Sequence, residues 1–325
     1  MDDLDRVLLD RIQTGFPISR RPYDVLADEL GHTASGWLSR VRRLSEEGIV
    51  RGVSAVFEPT RIGYVTSLAT LAVPPDRLEA VAAMVSEYPE VTHNYSRDHT
   101  YSLWFALVAH GQTRLDSALR DIEARAACGP VHALPTLRRF KIRVDFDFGT
   151  GAREAPRLAG TDPAEPIDVD PALVHRLCQP LPLVAEPYDA LAASLGRDPD
   201  AVIAEVVRYT RAGAIRRLGA LVRHHQAGFG ANAMVVFRVP EEAMVAAGER
   251  LAEFAAVSHC YERPPLPRLP HNLYAMVHAH HDDECRALAA QMARAIGVRD
   301  YLALFTVTEY KKASPVYFAE AAGNR

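Results

Sequence analysis

The feature that most constrains this chain is an internal duplication. Pro22-Tyr-Asp-Val-Leu-Ala-Asp-Glu-Leu-Gly31 returns 165 residues later as Pro187-Tyr-Asp-Ala-Leu-Ala-Ala-Ser-Leu-Gly196, and Gly48 and Gly63-Tyr64 keep that offset in Gly213 and Gly228-Phe229. Val91-Thr-His-Asn-Tyr-Ser-Arg97 matches Val257-Ser-His-Cys-Tyr-Glu-Arg263 at an offset of 166, and Leu103 and Phe140-Lys141 match Leu273 and Tyr310-Lys311 at 170. The second copy therefore gains four residues just after Arg263, in Pro264-Pro-Leu-Pro-Arg-Leu-Pro270. Whatever the unit is, the chain must fold as two versions of it. Between the copies, residues 149–170 are rich in Gly, Pro, Ala and acid, without apolar periodicity, and read as a linker.

Within each copy the order of elements is legible. Leu4, Val7, Leu8 and Ile12 have helical spacing over residues 3–14, Gly31 closes a short helix from Pro22, and Thr33 caps a third helix that Gly48 ends. A β-rich Ile49–Phe57 follows, as in a winged helix-turn-helix. Then come a strand (64–73), a helix opened by Pro74-Pro75, strands at 91–97 and 101–110, a helix at 113–127 and a last strand around 134–146. That is a βαββαβ order. The expected fold is α+β: a tandem repeat of winged helix-turn-helix plus ferredoxin-like βαββαβ domain. The division is 1–62 and 63–148 for the first copy, 149–170 for the linker, and 171–227 and 228–325 for the second.

Composition removes several classes. With 325 residues, 48% hydrophobic and 24% charged, the chain can bury about two cores. A net charge of −4 gives no chain-wide field for nucleic acid or anionic lipid. No apolar run reaches the roughly 18–20 residues of a membrane span, and the acidic start Met-Asp-Asp-Leu-Asp is unlike a secretory signal. Cys128, Cys178, Cys260 and Cys285 are widely spaced and predict neither a zinc site nor a disulfide framework, so a cytoplasmic setting is expected. Only three of the 37 basic residues are lysines: Lys141, Lys311 and Lys312. In a chain that otherwise uses Arg, their recurrence at one place per copy suggests an ammonium needed there, on a last strand expected to lie at a sheet edge.

Paired helix-turn-helix units read two DNA half-sites with their second helices. The first candidate, 33–45, carries Arg40, Arg42 and Arg43 and no acid, for +3; its counterpart, 198–210, carries Asp198, Asp200, Glu205 and Arg208, for −2. An acidic reading helix repels phosphate. This argues against DNA binding and for a scaffold role.

The most informative segment is His93-Asn-Tyr-Ser-Arg-Asp-His99. On a strand His93, Tyr95, Arg97 and, if the strand persists, His99 share one face. The second copy repeats the row as His259, Tyr261 and Arg263. The competing reading is an ordinary exposed polar face; the functional one is the wall of a pocket for a flat, anionic ligand. Arg offers a fork for carboxylates, His a proton near neutral pH, and Tyr a donor with an aromatic face. His224-His225 reads as surface or an iron ligand. His278-Ala-His280-His281-Asp-Asp283 has metal-like spacing, but Asp282 there also suits a helix cap.

The layout resembles the Lrp/AsnC regulators over nearly the whole chain. The segments His93-Asn-Tyr-x-Arg-x-His99-x-Tyr-x-Leu-Trp-Phe105 and Ser258-His-Cys-Tyr-x-Arg-Pro264 resemble the siroheme decarboxylases, in an order similar to a fusion of their D and L subunits. The resemblance implies a lyase that removes two acetate carboxyls from siroheme as CO₂, giving 12,18-didecarboxysiroheme for d-type haem or an alternative haem route. It implies no cofactor beyond the iron tetrapyrrole substrate. By motif match His93, His99 and His259 become acid candidates. Arg97 and Arg263 become carboxylate anchors, Tyr95 and Tyr261 donors or stacking partners, and Lys141 and Lys311 further anchors, with no resident metal. The second copy has no clear counterpart of His99; His271 falls nearby. Siroheme and its products are the expected partners, and the copies form an intramolecular pseudo-dimer, compatible with pairing again or with a related subunit. The alternatives are a ligand-responsive Lrp/AsnC-type regulator and a haem-binding subunit inactive without a partner.

Overall fold

The computed structural model describes residues 1–142, 165–222 and 231–322. The first copy begins with α1 (Asp3–Thr14), α2 (Pro22–Leu30), α3 (Ala34–Glu46) and β1 (Val50–Phe57); the second repeats them as α6 (Pro171–Cys178), α7 (Pro187–Leu195), α8 (Pro199–Arg211) and β7 (Ile215–Val222). Local signals set the ends. Thr33 accepts from Gly36 N–H at the start of α3, and Asp2 and Asp5 form a reciprocal capping box on α1. The wings β1 and β7 pair antiparallel across the pseudo-two-fold, with Ser54 opposite Gly219. A Cβ on Gly219 would stand 2.6 Å from the Ile12 carbonyl oxygen, so the close seat of α1 on β7 requires glycine there. Both helix-turn-helix units share one core that includes Leu9, Trp37, Tyr188 and Tyr209.

The arginines of α3 are committed inside the molecule. Arg40 bonds Asp2 and Asp5, Arg43 bonds Asp5 and Glu47, and Arg42 donates to the Leu183 carbonyl of the second copy at 2.8 Å. Burial raises the Asp5 carboxyl, but the Asp2 N–H and the two arginines outweigh it and hold the pKa at about 2. The +3 charge read from sequence is thus largely spent on helix packing.

The βαββαβ units follow. In the first, β2 (Tyr64–Leu71), α4 (Leu78–Ser86), β3 (Val91–Arg97), β4 (Leu103–His110), α5 (Gln112–Ala126), β5 (His132–Pro135) and β6 (Arg138–Ile142) succeed one another. The second comprises β8 (Ala231–Phe237), α9 (Met244–Ala252), β9 (Val257–Glu262), β10 (Leu273–Ala279), α10 (Asp282–Ala295) and β11 (Tyr301–Lys312). They do not form separate sheets. The order is β5-β2-β4-β3-β11-β8-β10-β9-β6.

The last strands are exchanged. Residues 301–305 of β11 pair with β8 of their own copy, and 306–312 pair with β3 of the other. Likewise β5 pairs with β2, and after two residues β6 crosses to β9. The expectation of a last strand at a sheet edge is corrected for β11, which lies in the middle and joins the copies. In isolation β3 and β9 would be open edges, a known liability; each is covered by the other copy. Because β5 and β6 are consecutive pieces of one chain at opposite ends of the ladder, the sheet wraps round on itself. Its outer face carries α4, α5, α9 and α10, with separate cores beneath them. Its inner face holds an apolar cluster drawn from both copies, including Trp104, Leu134, Met234, Tyr274 and Leu304.

Phe140 of β6 locks the exchange onto α9. A Cβ on Gly248 would lie 2.4 Å from its ring, so β6 needs glycine at that helix position. Among the described residues no helix is long and apolar enough to cross a membrane.

Candidate active site between the two copies

Both rows follow a β-bulge. The ladder slips between Val91 and His93 on β3 and between Val257 and His259 on β9. The extra residue, Thr92 or Ser258, lets Val91 and Val257 stay in the helix-side cores while the histidines turn to the inner face. From there alternation holds. His93, Tyr95 and Arg97 face inward, and Asn94 goes to the helix side, where its amide donates to the Ala82 carbonyl at 2.8 Å. The second copy places His259, Tyr261 and Arg263 in the same way.

The arginines are related by the pseudo-two-fold and nearly buried, 6% exposed for Arg97 and 9% for Arg263. Arg97 donates to the Leu304 carbonyl at 2.6 Å, and Arg263 to the Leu134 carbonyl; each thus reaches the last strand of its neighbour on the inner face. The guanidiniums lie 5.9 Å from the Tyr95 ring and 4.9 Å from the Tyr261 ring. Burial pulls the Arg97 pKa down to about 10 and shifts Arg263 the same way. Among the described residues neither pairs with a carboxylate, and Arg97 Nε has no hydrogen-bond partner. Desolvating a cation costs several kcal/mol. A carboxylate here is therefore worth more than at the surface.

The imidazoles are kept neutral. Burial, then the charges of His278, Arg216, His93 and Arg263, lowers His259 to about 4; burial and then Lys312 lowers His93. His259 nevertheless keeps part of its surface accessible. Thr92 Oγ1 lies 3.0 Å from His93 Nδ1, and Ser258 Oγ lies 2.9 Å from His259 Nδ1, fixing both rings through Nδ1. Burial raises Tyr95 to about 12, assisted by Glu309, and raises Tyr261 as well.

Two of the residues chosen from sequence point elsewhere. Lys141 donates to the Phe254 carbonyl at 2.7 Å, and Lys311 to the Ser86 and Tyr88 carbonyls at 2.8 and 2.9 Å. Both ammoniums sit on the helix side, at the C-terminal ends of α9 and α4, where a cation complements the helix dipole. The expected role as inner carboxylate anchors is corrected. A second pair of bulges is the reason: the register slips between Arg139 and Lys141 and between Glu309 and Lys311. The inward residues are consequently Arg139 opposite Tyr261, Glu309 opposite Tyr95, and Lys312 opposite His93.

His99 is also displaced from the row. β3 ends at Arg97, which is about 13 Å along the strand from His93 at ~3.3 Å per residue. His99 lies beyond it in a turn, its Nδ1 accepting from Tyr101 N–H at 3.1 Å. Burial, then the charge of His271, lowers its pKa, so the two histidines do approach across the copies; His271 itself is held to Asp300 at 3.2 Å. Of the His278–Asp283 cluster, His278 turns to Ser258 at 2.8 Å, whereas Asp282 is the first residue of α10 and His281 occupies the cap position. His224 and His225 lie outside the described residues.

Sequence reading missed several groups. Arg216, on the wing β7, acts on His259 and Tyr261; Arg139 acts on Tyr261 and bonds Glu58 at 2.9 Å. Three arginines and one glutamate thus surround Tyr261, against Arg97 and Glu309 at Tyr95. The helix-turn-helix halves contribute Arg216 and Glu58, which gives the scaffold a direct part in the site.

Comparison with known proteins agrees with this architecture. The model of the AsnC-like ligand binding domain matches residues 61–141 and 226–311, and that of the siroheme decarboxylase NirDL-like HTH domain matches 5–51 and 170–216. A siroheme decarboxylase of Hydrogenobacter thermophilus is 31% identical over 98% of this chain and 96% of its own. The siroheme decarboxylase alpha subunit of Desulfovibrio desulfuricans is 43% identical over 45% of this chain and 84% of its own, so single copies of the unit exist as separate chains. The crystal structure of the siroheme decarboxylase NirDL in complex with an iron-uroporphyrin III analogue superposes with a TM-score of 0.80 at 28% identity, covering 98% of this chain and 96% of that one. Duplicated, strand-exchanged and with matching helix-turn-helix units, the chain belongs to the siroheme decarboxylase family.

Proposed function

We propose that this chain removes two acetate carboxyl groups of siroheme as CO₂, leaving methyl groups, and that it does so between the two copies on the inner face of the wrapped sheet. The observation that carries this reading is the pair of buried guanidiniums, Arg97 and Arg263, flanked by tyrosines and neutral imidazoles on a face shared by both copies. Siroheme is flat and carries eight carboxylates, so it matches stacking rings and desolvated cations. Arg97 and Arg263 anchor carboxylates, Arg216 supplies further positive potential while Arg139 is paired with Glu58, and Tyr95 and Tyr261 donate or stack.

The chemistry needs an electron sink and an acid. When the C–COO⁻ bond breaks, its electron pair passes into the conjugated macrocycle, which serves as the sink without a separate organic cofactor. A positioned imidazole N–H then supplies the proton that completes the new methyl group, a contribution of typically 10²–10⁴-fold. The contacts of His93 and His259 through Nδ1, which leave Nε2 for the substrate, support these two rings as the donors. A regulatory role is disfavoured because the α3 arginines are committed to intramolecular bonds.

Anaerobic incubation of the purified protein with siroheme tests the reading. The expected result is a product lighter by one and then two CO₂; an unchanged mass refutes it.

A further inference from the structure

The two histidine sites are not equivalent in what stands behind them. In the second copy Ser258 Oγ lies 2.9 Å from His259 Nδ1 and 2.8 Å from His278 Nε2, so one hydroxyl bridges two imidazoles. In the first copy Thr92 Oγ1 meets His93 Nδ1 at 3.0 Å and the Ala106 carbonyl at 3.3 Å; Ser258 Oγ has the equivalent Met276 carbonyl at 3.4 Å, so what the second copy adds is His278. The position equivalent to His278 is Val108: His278 lies opposite Asn232 on β8, as Val108 lies opposite Thr66 on β2. A backbone carbonyl cannot give a proton; an imidazole can.

We propose that Ser258 and His278 form a proton relay that resupplies His259, making the second copy the half of the molecule that protonates the product carbon. This rests on the decarboxylase reading above. A hydroxyl has one proton, so Ser258 donates to one ring while accepting from the other. With His259 as the Nε2–H tautomer, the Ser258 O–H points to His259 Nδ1 and His278 Nε2–H points to Ser258 Oγ. In the step, the C–COO⁻ bond breaks and CO₂ leaves. The electron pair held by the macrocycle forms a C–H bond with the proton of His259 Nε2. His259 Nδ1 takes the Ser258 proton, Ser258 takes the proton of His278 Nε2, and His278, partly exposed, takes one from solvent water at Nδ1. Both rings end neutral as the opposite tautomers, which exchange with solvent resets. One carboxylate and one solvent proton enter, and CO₂ and a C–H bond result.

The relay answers a specific difficulty. His259 is faced by His93, Arg263 and Arg216 as well as His278, and its pKa of about 4 leaves only about one ring in a thousand as imidazolium at pH 7. A neutral imidazole that loses Nε2–H without gaining a proton at Nδ1 would become an imidazolate. The hydroxyl bridge removes that cost.

His278→Val, which copies the first repeat, and Ser258→Ala test the proposal. Siroheme affinity by anaerobic absorbance titration is expected to be unchanged. CO₂ release should slow by about 10–100-fold and recover with added imidazole for His278→Val, and the solvent isotope effect should lose its multi-proton curvature. Wild-type rates in both variants, or a loss confined to binding, overturn the relay. Nitrogen NMR of the ligand-free protein separates this from failure of the decarboxylase reading. The His259 and His278 tautomers should be coupled and should change together in Ser258→Ala; independent tautomers overturn the relay whether or not siroheme is the substrate.

Discussion

Replacing Arg263 by Met separates a carboxylate anchor from a structural clamp. In the ligand-free protein the guanidinium is 9% exposed, donates to the Leu134 carbonyl and has no acidic partner among the described residues. Losing that bond costs about 1 kcal/mol, while removing a desolvated, unpaired cation returns a comparable or larger amount. The methionine fills much of the same space. The ligand-free thermal midpoint should therefore stay within about 3 °C of wild type. Binding should behave oppositely. A charged hydrogen bond to a substrate carboxylate is worth about 1.5–3 kcal/mol, so siroheme affinity should fall by about 10–150-fold. Differential scanning fluorimetry and an anaerobic absorbance titration measure the two quantities on the same sample. A midpoint lowered by many degrees with unchanged affinity would refute the anchor role.

Lys141→Gln and Lys311→Gln should leave siroheme turnover unchanged and lower stability by about 0.3–1 kcal/mol each; a large rate loss with normal folding would return these residues to the active site. Gly248→Val should drive Phe140 off α9 and loosen the exchanged strand, costing about 1–3 kcal/mol, with amide exchange rising first in 138–142; unchanged protection there contradicts the locking role. Burial depresses His259 from the usual 6.5 to about 4, so the unfolded chain binds more protons within that window and stability falls as pH drops through it, by about 3 kcal/mol in total. Thermal midpoints from pH 7 to 4 should therefore fall less steeply in His259→Asn, and identical slopes would sink the assignment. With Arg40, Arg42 and Arg43 internally bonded, DNA retention should vanish near 0.15 M salt; sequence-specific binding at that ionic strength contradicts the scaffold role.

The sequence shows the duplication, the element order and the inward rows because these depend on local patterns and simple strand alternation. Strand exchange is invisible in it: nothing in Tyr301–Lys312 distinguishes a strand that stays with β8 from one that continues onto β3, since that pairing is a long-range choice. The lysines mislead for a concrete reason. A single bulge between Arg139 and Lys141 inverts parity, so the inward cation is Arg139, and in the second copy Lys312 rather than Lys311. Arg216 and Glu58 arrive from the wing regions, 43 residues before His259 and 35 before His93 in sequence, and only the three-dimensional closure of wing over sheet brings them in. The spacing around His278 is metal-like, but its partner is Ser258, which a bulge on the neighbouring strand presents to it.

On the proposed function the inner face between the copies receives the carboxylated macrocycle. A crystal structure of the protein soaked anaerobically with siroheme tests it most directly. The ring should lie between β3 and β9, with carboxylates within hydrogen-bond distance of Arg97 or Arg263 and an imidazole Nε2 beside an acetate carbon. A ring bound on the outer, helix-covered face beside Lys141 or Lys311, with the inner imidazoles untouched, would contradict the account.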